Sequence, residues 1–180
     1  MRAARLRSVL VAVPVTLGVA AAAGANHTPN GCQDCASHKY WPKIDGIIKR
    51  AQGGGVTYQG TSRSDELLGH HGSDTLRGGD ASDILWGDWD PSGQPATQKD
   101  VMYGGAGEDF IYGSHGSNTI YGGAGNDAIS VHYGRGIVDC GPGNDIYHVA
   151  RSRKKSYRFR NCEKVDYRPE SVRGGPLKPL

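Results

Sequence analysis

Aspartate recurs through the middle of this 180-residue chain at Asp65, Asp74, Asp83, Asp100, Asp109, Asp127 and Asp145, at intervals of nine or eighteen with a single step of 17. If the chain coils with that period, the carboxylates stack. Stacked carboxylates repel one another at any plausible dielectric unless a compensating charge lies among them. Each of these aspartates also lies in or near glycine-rich sequence, and their carboxylate oxygens are hard donors suited to a hard cation. Other chemistries lack their signatures. The chain contains neither His-Glu-x-x-His nor Gly-x-Ser-x-Gly, and no acid, base and nucleophile constellation is recognisable, so no enzyme activity is expected.

The elements that must position these carboxylates follow from the repeat. Blocks begin at Gly60, Gly69, Gly78, Gly87, Gly104, Gly113, Gly122, Val131 and Cys140, nine residues apart except for 17 between Gly87 and Gly104. That exception is an eight-residue insertion at about 88–95. The eighth position is always apolar: Leu67, Leu76, Leu85, Met102, Ile111, Ile120, Ile129, Val138 and Tyr147. Mixed neighbours on either side predict a three-residue strand with one side chain inward. Glycine crowds the first five positions and supplies the φ > 0 that tight turns need.

Gly104-Gly-Ala-Gly-Glu-Asp-Phe-Ile-Tyr112 and Gly122-Gly-Ala-Gly-Asn-Asp-Ala-Ile-Ser130 match Gly-Gly-x-Gly-x-Asp-x-U-x in full. In this the chain resembles the RTX, or hemolysin-type calcium-binding, family. The resemblance implies an all-β fold, a right-handed parallel β-roll with two nine-residue blocks per coil, and Ca²⁺ between equivalent turns held by aspartates and turn carbonyls. Alternate blocks then stack. One side reads Asp65, Asp83, Asp109, Asp127, Asp145, a complete ladder with four gaps, and about four ions are expected there. The other reads Asp74, Asp100, Asn118, Gly136, so Asp74 and Asp100 are weaker candidates. Turn carbonyls are expected from Gly78, Asp80, Gly104, Gly105, Gly107, Gly122, Gly123, Gly125, Gly141 and Gly143. Carboxylate and carbonyl oxygens in a flexible turn suit calcium better than octahedral magnesium. With one inward side chain per block the core is thin, and metal binding is expected to supply part of the folding free energy.

The ends carry other information. Arg2, Arg5 and Arg7, an apolar run from Val9 to Ala23 and Ala23-Gly24-Ala25 read as a cleavable export signal, residues 1–25, too short for a membrane span. A secreted, extracellular protein is expected. The overall charge of +3 and pI of 8.7 conceal an asymmetry. Residues 60–148 hold 13 acidic and four basic side chains, whereas 149–180 hold ten basic and three acidic, so no nucleic-acid partner is inferred. Residues 26–59 are expected to form an N-terminal leader and cap, 60–148 the repeats, and 149–180 a basic C-terminal cap and tail. Four cysteines allow three pairings. Cys32 with Cys35 and Cys140 with Cys162 are expected, the second tying the tail to the last repeat.

A binding module on the same scaffold is the alternative. Trp86 and Tyr112 are expected to stack on one outer face and Tyr103 and Tyr121 on the other, a surface that could serve glycans or cell-surface contact. His71, His115 and His132, near Trp89, are expected to form a row able to hold a transition metal.

Overall fold

The structure, a computed structural model, describes residues 40–90, 93 and 95–168. The expected signal 1–25 and the expected Cys32–Cys35 pair lie outside the described residues. Short runs of strand formers between glycine turns give β1 (Ile48–Arg50), β2 (Thr57–Gln59), β3 (Glu66–Leu68), β4 (Thr75–Asp80), β5 (Ile84–Trp86), β6 (Lys99–Ala106) and β7 (Phe110–Tyr112). The chain continues through β8 (Ser117–Ala124), β9 (Ala128–Val131), β10 (Arg135–Asp139), β11 (Ile146–Val149), a 3₁₀ helix (Arg151–Ser156), β12 (Tyr157–Arg160) and β13 (Lys164–Asp166). Among the described residues no helix is long and apolar enough to cross a membrane.

Odd-numbered strands form one sheet and even-numbered strands the other, each in coil order and all parallel, a β-solenoid of about six turns. The register measures the coil. Glu66 pairs with Ile84 and Phe110 with Ala128, eighteen residues on, whereas Ile84 pairs with Phe110 across the insertion. Two nine-residue blocks therefore make one turn, as the resemblance implies. Further strands flank the blocks at both ends: β1, β2 and β13 pair at the same step of eighteen, whereas β12 pairs with β10 at a step of 21, Gly136 with Tyr157.

The eighth-position residues form one column between the sheets. Leu67, Leu76, Leu85, Met102, Ile111, Ile120, Ile129 and Val138 are fully buried, and Tyr147 nearly so. Burying a side chain of this size contributes roughly 1.5–3 kcal/mol. The column is plugged at its ends. Lys49 reaches over the Tyr58 ring, and Tyr147 stacks on Phe159 at 4.1 Å.

Two local expectations change. The even strands β4, β6 and β8 exceed three residues because pairing runs on through the glycine pairs, Gly79 to Gly105 to Gly123. Only glycine permits this: Gly123 has φ 117°, and a Cβ there would fall on the Gly105 carbonyl oxygen. In addition, the leader does more than extend the coil. Trp41 and Ile44 pack on a second apolar cluster of Ile84, Phe110, Tyr112, Ala128 and Ile146, whose members occupy outer-facing positions of the odd-strand sheet.

Ala81 stands where later coils have Gly107 and Gly125 and is held at φ 68°. A left-handed alanine costs about 1–2 kcal/mol, partly offset by glycine's greater unfolded-state entropy. Ala81→Gly is expected to stabilise the calcium-loaded protein by roughly 0.5–1 kcal/mol in urea denaturation. A lower midpoint would show that the turn is not strained there.

Candidate metal centre

Each aspartate of the first side sits in the last turn position before an odd strand, where the chain must bend inward. All five are fully buried. One carboxylate oxygen, Oδ1, accepts a backbone N–H from the coil before: Ile47 N–H donates to Asp65 at 2.5 Å, Asp65 N–H to Asp83 at 2.7 Å, and Asp83 N–H to Asp109 at 2.8 Å. Asp109 N–H donates to Asp127 at 2.9 Å and Asp127 N–H to Asp145 at 2.7 Å. Glu163 supplies a further rung, its Oε2 accepting from Asp145 N–H at 2.8 Å. Side chain and main chain thus alternate in one continuous hydrogen-bonded file along the solenoid edge.

The second oxygens behave differently. Oδ2 of Asp83, Asp109, Asp127 and Asp145 is buried and has no hydrogen-bond partner. Asp65 differs because Thr61 replaces the glycine of later blocks, and its N–H and hydroxyl donate to Asp65 Oδ2 at 2.5 and 3.0 Å. At three rungs the open oxygen faces a gap that a side chain would close. A Cβ on Gly104 would fall on Asp109 Oδ2 and on the Gly122 carbonyl oxygen. Gly78 stands in the same relation to Asp83 and Gly104, and Gly122 to Asp127 and Cys140. An unpaired buried carboxylate oxygen beside a carbonyl oxygen is a donor set without a positive partner, and its hard-oxygen chemistry fits calcium.

Electrostatics states the same deficit. Burial pushes the carboxyls of Asp83 and Asp127 up to about 7 and that of Asp109 to about 8. Backbone N–H donation opposes the rise, while neighbouring carboxylates, such as Asp127 and Asp83 beside Asp109, reinforce it. Asp145 is raised by burial as well, with Glu163 adding to it.

The other side is closed by protein donors. Asp74 accepts from Val56 N–H at 2.7 Å through one oxygen and from His70 N–H at 3.0 Å through the other. Asp74 N–H donates to Asp100 at 2.9 Å, and the second Asp100 oxygen takes the Ser114 hydroxyl. Asn118 donates to the Tyr157 hydroxyl at 2.8 Å and accepts from Ser114 N–H. Neither Asp74 nor Asp100 retains an unpartnered oxygen, although burial raises both, Asp100 to about 7.

Among the candidate turn carbonyls, those of Gly104 and Gly122 lie by these cradles, and that of Gly78 lies beside Asp65 Oδ2. Those of Gly105, Gly107, Gly123 and Gly125 instead face backbone of the following turn, at Gly123, Gly125, Gly141 and Gly143. Asp80 N–H bonds the Thr61 carbonyl at 3.1 Å. Glu163, Thr61 and the Cys140 carbonyl were not among the expected participants. A step of eighteen residues from Asp145 leads directly to Glu163. Cys140 and Cys162 are disulfide-bonded with Cα atoms 5.2 Å apart, as expected, fastening the last block to the shortened turn before β13.

The alternative surfaces come together only in part. Trp86 and Tyr112 stack at 4.6 Å, but Trp41 lies edge-on to both and donates its indole N–H to Tyr112 Oη at 2.9 Å, which covers the pair. Tyr103 and Tyr121 stack at 5.0 Å with Arg77 over Tyr103. The histidines do not form a row: His71 meets Asp88, His115 stacks on Tyr133, and His132 meets His148.

The RTX calcium-binding nonapeptide repeat profile matches in four copies, over residues 59–90 and 97–129. No curated protein and no solved structure matches the chain. The two matched segments are separated within the insertion and contain every rung from Asp65 to Asp127; the Asp145 and Glu163 rungs continue the same geometry beyond them.

A carboxyl with a raised folded-state pKa favours the folded state when protonated. Its contribution is complete below the ordinary value of about 4 and is lost as pH rises through the folded value. The metal-free protein should therefore lose stability between about pH 4 and pH 8, the upper bound being set by Asp83, Asp109 and Asp127. Urea midpoints in chelator across that range measure it; midpoints that rise with pH would contradict the assignment.

Proposed function

From the premise that residues 59–129 carry RTX calcium-binding nonapeptide repeats, we propose that this protein is secreted and holds about four calcium ions along the Asp83, Asp109, Asp127 and Asp145 file, with folding coupled to their binding. The observation that carries the reading is the set of four buried, unpartnered Oδ2 atoms. Asp65 serves as the first rung and ties the file to the leader through Ile47. The carbonyls of Gly104, Gly122 and Cys140 supply nearby protein oxygens beside Asp83, Asp109 and Asp127, and that of Gly78 lies beside Asp65. Asp74 and Asp100 act as internal hydrogen-bond acceptors on the closed side and contribute little to metal binding.

Export fits this chemistry. Inside a cell, where calcium is scarce, the carboxylate file lacks its counter-charge and the chain stays loose. Outside, sites of extracellular-module affinity, about 0.1–1 mM, fill, and binding to the folded state alone becomes folding free energy. The segment 1–25 acts as the cleaved signal, and 26–59 and 149–180 flank the roll as caps.

Calorimetric titration of the refolded chain, beginning at residue 26, should give about four calcium ions and no comparable magnesium heat. Asp109→Asn keeps an oxygen for the Asp83 N–H but removes a charge from the middle of the file. That variant is expected to bind one or two fewer ions and to require several-fold more calcium to fold. Unchanged stoichiometry in Asp109→Asn would overturn the ladder assignment.

A further inference from the structure

The insertion that interrupts the repeat brings its own side chains onto the turn of the preceding coil. Asp88, Trp89 and Asp90 follow β5 directly and pack against His70 and His71. One donor atom from each of His70, His71 and Asp90 lies within 4.8 Å of the other two. His70 Nε2 is 3.7 Å from Asp90 Oδ2, and the two imidazoles are 4.3 Å apart.

The surroundings orient these groups. The fully buried Asp88 carboxylate lies 3.1 Å from His71 Nδ1 and also accepts from Gln98 Nε2 at 3.2 Å. A carboxylate on Nδ1 fixes the imidazole with its proton on that nitrogen and leaves Nε2 as a basic donor, the arrangement that carboxylates impose on metal-bound histidines. His71 Nε2 faces the insertion, with Gly93 across from it. His70 is wedged by Trp89, whose ring stands edge-on at 5.7 Å and whose indole N–H is anchored on the Ala51 carbonyl at 3.1 Å. His70 Nδ1 is buried and has no hydrogen-bond partner. Arg50 lies over the same Trp89 ring, and the two carboxylates of Asp88 and Asp90 outweigh its charge.

We propose that His70, His71 and Asp90 form a zinc site, with Asp88 as the positioning residue behind His71. Two imidazoles and a carboxylate are a borderline donor set that selects zinc over calcium or magnesium, whose preference is for oxygen alone. Three protein ligands leave a fourth position of the tetrahedron open to water. Ligand atoms about 2.0–2.2 Å from one tetrahedral ion lie roughly 3.3–3.6 Å from each other, close to the 3.7 Å between His70 Nε2 and Asp90 Oδ2. The site is independent of the carboxylate file and contains none of its rungs. It also gives the insertion a structural role, because a bound ion clamps it to the His70–His71 turn.

The test adds zinc alone to the calcium-saturated full chain, with calorimetry for stoichiometry and cobalt substitution for geometry. The site predicts one ion with a tetrahedral cobalt spectrum lacking a thiolate charge-transfer band. His71→Ala, His70→Ala and Asp90→Asn should each weaken binding about tenfold or more, and Asp88→Asn by about 10–100-fold. His115→Ala should leave it unchanged, and calcium-dependent circular dichroism identifies the variants that fold. Absence of zinc binding would overturn the proposal, as would affinity unchanged in folded His71→Ala and Asp90→Asn, or a thiolate band that moves the ion to the cysteines.

Discussion

The structure depends on a file of buried carboxylates whose two oxygens have opposite consequences. Through Oδ1, each rung receives an N–H from the neighbouring coil and fastens turn to turn. Through Oδ2, four rungs carry charge into a space with no donor. Adjacent parallel strands lie about 4.8 Å apart, so charges repeating at that interval repel strongly wherever water is excluded. The same side chains that align the coils therefore bring into them a buried charge that a proton or a cation would relieve. A dication at such a gap would satisfy both requirements, because the open carboxylate oxygen and a nearby turn carbonyl would hold it and it would supply the missing counter-charge.

Apolar burial is arranged to support this edge rather than to replace it. The internal column contributes one side chain per block, and the glycines that make the turns possible are entropically expensive to order. Extra packing appears where the repeat ends. The Tyr147–Phe159 stack and the Cys140–Cys162 disulfide close one end, and Trp41 and Ile44 cover apolar positions on the outside of the odd-strand sheet. The closed side satisfies its aspartates with protein donors: Asp74 takes the backbone N–H groups of Val56 and His70, and Asp100 takes the Asp74 N–H together with the Ser114 hydroxyl and the Gln98 amide. The two edges are alternative solutions to one problem of buried charge.

Much of this was legible in the residues because the period of the sequence equals half the period of the coil. Leu67 through Tyr147 and Asp65 through Asp145 follow from counting alone. What escaped counting depends on contacts between distant segments. Glu163 lies in a stretch without glycine signals and is recognisable only by its distance from Asp145. Thr61 looks like a neutral departure from the repeat, yet its hydroxyl joins its backbone N–H in donating to Asp65 Oδ2. Trp41 gives no local sign that it will cover Trp86 and Tyr112, nor do the insertion residues that they will meet His70 and His71. The length of β6 and β8 reflects stacking of successive glycine turns, which becomes visible only once coil is laid on coil.

The central claim is that the roll forms when the carboxylate file gains its counter-charge. Far-UV circular dichroism of the full chain beginning at residue 26, followed at pH 7.5 from chelator into millimolar calcium, tests it most directly. The account predicts a largely unfolded spectrum in chelator and a cooperative gain of β-structure on adding calcium, with no such gain in magnesium. A fully formed β spectrum in chelator, unchanged by calcium, would contradict it.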